Sequence, residues 1–247
     1  MISALIDIFD HRTLVLSMVR RSFKMRFLAS VLGWLWIVAT PIMLLCVYSF
    51  VFGYIFKPNW PILAEKNVSY VLFLFTGLTV YWIFAEIINN APGAIRSQQS
   101  LVKKVKFPIH ILSVVLNVNA LISWSVNFIL LLCAMLVFGQ AFHWTALLVP
   151  LTLLPILFLT LGLGWLLAAT GTYFRDVGQA AGVINLTGLF LSAIFFPVTA
   201  LPEKAQSILV FNPVAVSIEA LRACLLYGDY PDWNCLLYTS PSPRDRG

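Results

Sequence analysis

The sequence predicts an all-α integral membrane protein, and three observations carry that prediction. Of the 247 residues, 60% are hydrophobic and 11% are charged, which leaves too little polar surface to cover a soluble globule of this length. The apolar residues gather in runs of about 20 or more, the length a helix needs to cross a hydrocarbon core of roughly 30 Å. Basic residues cluster in alternate connections between those runs.

The opening segment puts Ile2, Leu5, Ile6 and Phe9 at helical spacing, with Asp7, Asp10 and Arg12 in other directions. Residues 1–27 are therefore expected to form an amphipathic helix along the inner membrane surface. On pattern alone, a simple positive-inside anchor fits as well. No small-residue cleavage site follows a short apolar core, so a cleavable signal peptide is not expected. A transmembrane domain is expected over 28–234, with spans at about 28–56, 68–91, 109–138, 146–174 and 177–197. The last apolar segment, about 205–227, is broken by Asn212-Pro213 and carries Glu219 and Arg222. A free crossing helix tolerates these poorly, so half-inserted or interfacial helices are expected there.

Orientation follows from the basic residues. Arg12, Arg20, Arg21, Lys24 and Arg26 precede span one, Arg96, Lys103, Lys104 and Lys106 follow span two, and Arg175 follows span four. The opposite side has Lys57, Lys66, Lys204 and Arg222, a balance of ten against four. The amino terminus and the lysine segment are thus expected in the cytoplasm. The net charge of +6 belongs to this bias, and no nucleic-acid partner is expected.

No constellation of an enzyme is legible. There is no Gly-rich phosphate loop with its lysine, no paired-histidine zinc helix and no Gly-x-Ser-x-Gly elbow. His11, His110 and His143 fall near three different membrane boundaries, and the four cysteines show no metal or disulfide spacing. Asn67-Val68-Ser69 fits the glycosylation pattern, but so does Asn185-Leu186-Thr187 inside a span. Glu86, near the cytoplasmic end of span two, is the clearest intramembrane charge. It is read either as a polar contact to a neighbouring helix or the lysine segment, or as a carboxylate reaching the headgroups.

Four further groups are candidates. "SLVKKVKFP" reads as a short amphipathic helix with Leu101, Val102 and Val105 set against Lys103, Lys104 and Lys106, following Ser100 and stopped by Pro108. It serves either to dock a soluble partner or to hold anionic headgroups. Arg175-Asp176 separates spans four and five, with Asp176 placed to meet a helix N-terminus. Gly178 and Gly182 have the spacing that admits another helix, within the chain or in a second copy. Tyr48 and Tyr54 in span one, with Tyr81 and Trp82 in span two, form either an interfacial belt or a ring-lined pathway suited to sugars.

Five ordered stretches, "SVLGWLWIVATPI", "SLVKKVKFP", "YFRDVGQ", "FFPVTALPEKAQ" and "FNPVAVSIEALR", resemble the permeases of type-two ABC exporters, over about residues 10–234. The nearest branch exports lipid-linked O-antigen polysaccharide, with teichoic-acid and capsular exporters as relatives. The resemblance implies a six-span permease with an amino-terminal interface helix and outer re-entrant helices over about 201–227. It implies two copies of the chain with two separate ATPase subunits, which hold the ATP and magnesium, so that this chain needs no cofactor. It further implies that residues 100–106 couple to the ATPase, with Arg175-Asp176 as a second contact. The cargo would be a polyprenyl-diphosphate-linked glycan leaving the cytoplasm across the bacterial inner membrane. A membrane glycan-processing enzyme and a passive channel are the rival readings, and an ATPase gene beside this one would separate them.

The chain departs from that family at its end, where residues 235–247 replace the sixth span. The run "CLLYTSPSPRD" is what a transposase sequencing adaptor yields on translation, and Pro241 and Pro243 cannot begin a crossing helix. The tail is expected to be non-native.

Overall fold

The computed structural model describes residues 12–28, 35–55, 60–66, 68–98 and 108–231, all helix, turn or connection, with no strand. The predicted coupling residues Ser100, Leu101, Val102, Lys103, Lys104, Val105 and Lys106 lie outside the described residues, as do residues 1–11 and the 235–247 tail.

Eight helices carry the architecture: α1 (Arg12–Leu28), α2 (Leu35–Tyr48), α3 (Tyr70–Asn90), α4 (His110–Val137), α5 (Leu154–Tyr173), α6 (Val177–Leu191), α7 (Glu203–Val210) and α8 (Pro213–Arg222). Among the described residues, three stretches are long and apolar enough to cross a membrane: 70–97, 110–137 and 144–173. The apolar helices at 35–51 and 177–191 are shorter. The protein is therefore an all-helical, multi-pass membrane protein.

The sequence explains where the helices bend. Pro41 inside α2 removes one backbone donor, and the helix widens into a π-helical stretch over Ser49–Ile55. The apolar run from Trp144 is not one smooth helix. A 3₁₀ turn (Trp144–Leu148) and a short helix (Val149–Thr152) precede α5, because Pro150 and Pro155 are tolerated only in the first turn of a helix. The run continuing from α6 also turns early. After Leu191 the chain bends at Ser192-Ala193, with Ala193 at a positive φ of 53°, so residues 194–197 leave the helix.

α3 is apolar all round and sits at the centre. Leu72, Phe73, Leu74, Leu78, Val80, Ile83 and Ile87 are buried against α4, α5, α6 and α8. The amino-terminal helix lies against the start of α4, where Val15 and Val19 meet Ile111 and Val115. Its Arg12, Arg20, Arg21 and Lys24 stay exposed.

Candidate functional site

Three features of the structure are built for a task. The first is a groove of about 450 Å³ between α2, α3 and α4, lined by both apolar and polar side chains. Trp36 and Thr40 of α2, Trp82, Glu86 and Asn89 of α3, and Ser123, Trp124 and Asn127 of α4 line it. At 1.5 Å per residue, Trp82 lies about 18 Å along α3 from Tyr70 and Asn89 about 28 Å. The groove thus runs from mid-span to the end that carries the lysine segment. Trp124 and Asn127, three residues apart, share one helical face. The indole nitrogen of Trp124 and the side-chain oxygen of Asn127 are buried with no hydrogen-bond partner among the described residues. Leaving such an atom unpaired costs about 1–3 kcal/mol. Phe128 stacks on Trp124 with centroids 4.8 Å apart, fixing the ring.

The second feature is Arg222. Its side chain is fully buried, which in a membrane protein demands partners. It donates to the carbonyls of Ala193 and Ile194, each at 2.8 Å, and to that of Phe73 at 3.3 Å. Glu219 accepts a fourth bond at 2.8 Å, and the guanidinium lies 3.5 Å from the centroid of the Phe73 ring. Ala193 and Ile194 follow the C-terminus of α6, where carbonyls lack helical donors and the dipole favours a cation. Tyr70 donates to the carbonyl of Phe195 at 3.1 Å, so this bend is gripped from both sides. Gly77 makes room, because a Cβ there would lie 2.8 Å from Nη2 of Arg222. Asn212 caps α8 by accepting from Val214 N–H at 3.0 Å, with Pro213 in the first turn. Its amide also donates to the carbonyl of Leu191 at 3.1 Å.

The third feature is the face at the opposite end of the core. Arg96 donates to the carbonyl of Thr172 at 3.2 Å, and Gly171 packs against the backbone of Pro92. Trp165 donates to the carbonyl of His110 at 3.0 Å. Both flanks of the 99–107 segment are thereby held against the second half of α5, which leads into the exposed Arg175-Asp176 turn. Asp176 occupies the N-cap position of α6, where its side chain makes no capping bond.

The remaining predicted residues scatter. Trp82 lines the groove. Tyr81, beside it in sequence, is buried, and its hydroxyl donates to the backbone carbonyl and side-chain oxygen of Asn185, tying α3 to α6. Tyr48 meets Phe195 edge-on at 5.6 Å. Tyr54 is exposed and stacks on Phe50 at 5.9 Å. Among the described residues, nothing lies within 4 Å of a Cβ added at Gly178 or Gly182. Sequence reasoning gave no site role to Asn127, Trp124 or Arg222; for Arg222, its position inside an apolar run was the usable signal.

Comparison with known proteins agrees with this architecture. The chain is 29% identical over 238 residues to the O-antigen export system permease protein RfbA of Myxococcus xanthus, covering 94% of this chain and 87% of that protein. It is also 29% identical over 211 residues to the polysialic acid transport protein KpsM of Escherichia coli, covering 84% and 79%. With RfbA of Klebsiella pneumoniae the identity is 24% over 220 residues, covering 87% and 81%. The family model described as ABC-2 type transporter matches residues 13–226. A match across so much of the chain, on an all-helical membrane fold, means that this protein belongs to the ABC-2 type transporter family.

Proposed function

We propose that this chain is the membrane permease of an ATP-driven polysaccharide exporter. The observation that carries the reading is that relatives named for O-antigen export and for polysialic acid transport align over 84–94% of the chain. Two copies pair in the bacterial inner membrane, with the amino terminus in the cytoplasm and six crossings in each subunit. Two ATPase subunits bind ATP and magnesium, and the permease itself breaks no bond. The segment 100–106 docks on the ATPase, and the Arg175-Asp176 turn makes the second contact. The shared placement of that turn and of the flanks of the segment supports this arrangement. α7 and α8 form the outer re-entrant pair. The cargo is a glycan carried on a polyprenyl diphosphate, with O-antigen as the first candidate. The equal identity to KpsM favours polysialic acid as the second.

Deleting the gene in its host and probing the cell surface with glycan-specific serum tests the reading. Surface glycan is expected to vanish while lipid-linked glycan accumulates inside. Undiminished surface glycan in the deletion strain removes the proposal.

A further inference from the structure

One helix, α5, holds the chain on both sides of the lysine segment. Ahead of the segment, the backbone of Pro92 packs on Gly171 so closely that no Cβ would fit there. Four residues on, Arg96 donates from Nη2 to the carbonyl of Thr172 at 3.2 Å. Thr172 is in the last turn of α5, where carbonyls lack helical donors and the dipole favours a cation. Arg96 is thus a cap delivered to α5 from another element. Past the segment, Trp165 donates to the carbonyl of His110 at 3.0 Å, and Gly164 faces the hydroxyl of Ser113. Gly164 and Gly171 are seven residues apart, so both close approaches fall on one face of α5, about 10.5 Å apart along its axis.

After Tyr173 the chain passes through the Arg175-Asp176 turn into α6. Of the 15 residues of α6, Ala181 alone is buried. The helix is tied to the core by the Tyr81–Asn185 bond and, at the bend beyond its end, by Arg222. A helix packed so sparingly can shift without breaking a core. Resting on the reading above that residues 100–106 dock on an ATPase, we propose that Arg96 is a positioning residue that makes the lysine segment and the Arg175-Asp176 turn one mechanical unit. Displacement of the segment is then passed through the end of α5 to α6. The two contacts ahead of the segment differ in what they resist. Pro92 against Gly171 opposes closer approach, whereas the charge-assisted bond from Arg96 opposes separation, so a pull depends on Arg96. Among the described residues no carboxylate forms an ion pair with Arg96, which leaves the end of α5 as its partner.

The test uses the full permease–ATPase complex in phospholipid nanodiscs. In a background with Cys46, Cys133 and Cys235 changed to serine, Gln179→Cys carries an environment-sensitive fluorophore at the exposed first turn of α6. Trapping the ATPase with magnesium, ATP and vanadate is expected to shift the emission when Arg96 is present. Arg96→Ala is expected to keep its Tm and ATPase copurification, since one exposed bond adds little stability. It should lose most of the shift, and surface glycan should fall about fivefold, the low end of coupling between sites. Arg96→Lys retains the charge without the planar fork and should restore part of both. An equal shift in the wild type and Arg96→Ala overturns the proposal. So does a shift lost only in step with copurification and Tm, which would make Arg96 a structural cap and nothing more. A wild type that binds the ATPase and hydrolyses ATP but shows no shift also overturns it, leaving the export reading intact. A wild type that retains no ATPase removes the export reading and this inference with it.

Discussion

Arg222 shows how one side chain can join three parts of the fold. The guanidinium caps the end of α6, reaches α3 through Phe73 and is balanced by Glu219 on its own helix. Replacing it with methionine keeps much of its length but leaves three carbonyls and a carboxylate without their cation. A loss of about 3–5 kcal/mol is expected, read as a large drop in Tm of the detergent-purified protein. Arg222→Lys retains the charge without the planar fork and should recover only part of that loss. Gly77→Ala should cost about 1–3 kcal/mol, because the guanidinium that the new methyl meets is pinned by its own bonds. An unchanged Tm in Gly77→Ala would show that Arg222 can move aside. The carbonyl partners of Arg222 lie 28, 29 and 149 residues away, which is why the sequence marked the residue as anomalous but could not say what it held.

At the scale of the helix, the seam between α4 and α5 is close because of small and polar residues. Gly164 faces the hydroxyl of Ser113, and Thr160 donates to Asn117 at 2.7 Å. At the end of α5, an added Cβ on Gly171 would lie 2.7 Å from the Cα of Pro92, and backbone cannot rotate out of the way. Gly171→Val is therefore expected to part α5 from the turn after α3, seen as loss of ATPase copurification together with a Tm lowered by several degrees. Normal copurification at an unchanged Tm would refute this. For the lysine segment, Leu101→Ala with Val102→Ala should weaken ATPase docking more than Lys104→Ala does, since rim charges are screened and act chiefly on encounter rate. Pull-down at two ionic strengths checks the ranking, and equal retention by all variants contradicts it. The helical runs were legible because the membrane imposes one length and one polarity on whatever crosses it. Their ends were less so: α6 turns at Ala193 on account of a guanidinium supplied from elsewhere in the chain. The groove was half legible, for Trp82 stood out as an aromatic, whereas Asn127 looked like one polar residue in a long apolar run.

For the whole molecule, burial is uneven in a way that points outward. α3 is enclosed on nearly every side, while α2 and α6 keep broad apolar faces, among them Met43, Val47, Val183 and Leu186. Lipid covers such faces without penalty, so exposure alone does not assign them. The open Gly178 and Gly182 add the close approach that a helix partner uses. In a background with Cys46, Cys133 and Cys235 changed to serine, Gly182→Cys is expected to form a disulfide-linked dimer on oxidation, whereas a cysteine at the exposed Phe158 of α5 should not. Equal crosslinking at both positions would mean random collision, not a defined pair.

The grip of Arg222 on the end of α6 also sets a clock on biosynthesis. The carbonyl of Ala193 is made 29 residues before the guanidinium that meets it. At a synthesis rate of about 5–20 residues per second, the bend waits on the order of 1.5–6 s for its cation. Until residue 222 has been made, the bend after α6 and the facing turn of α3 therefore lack the cation that joins them.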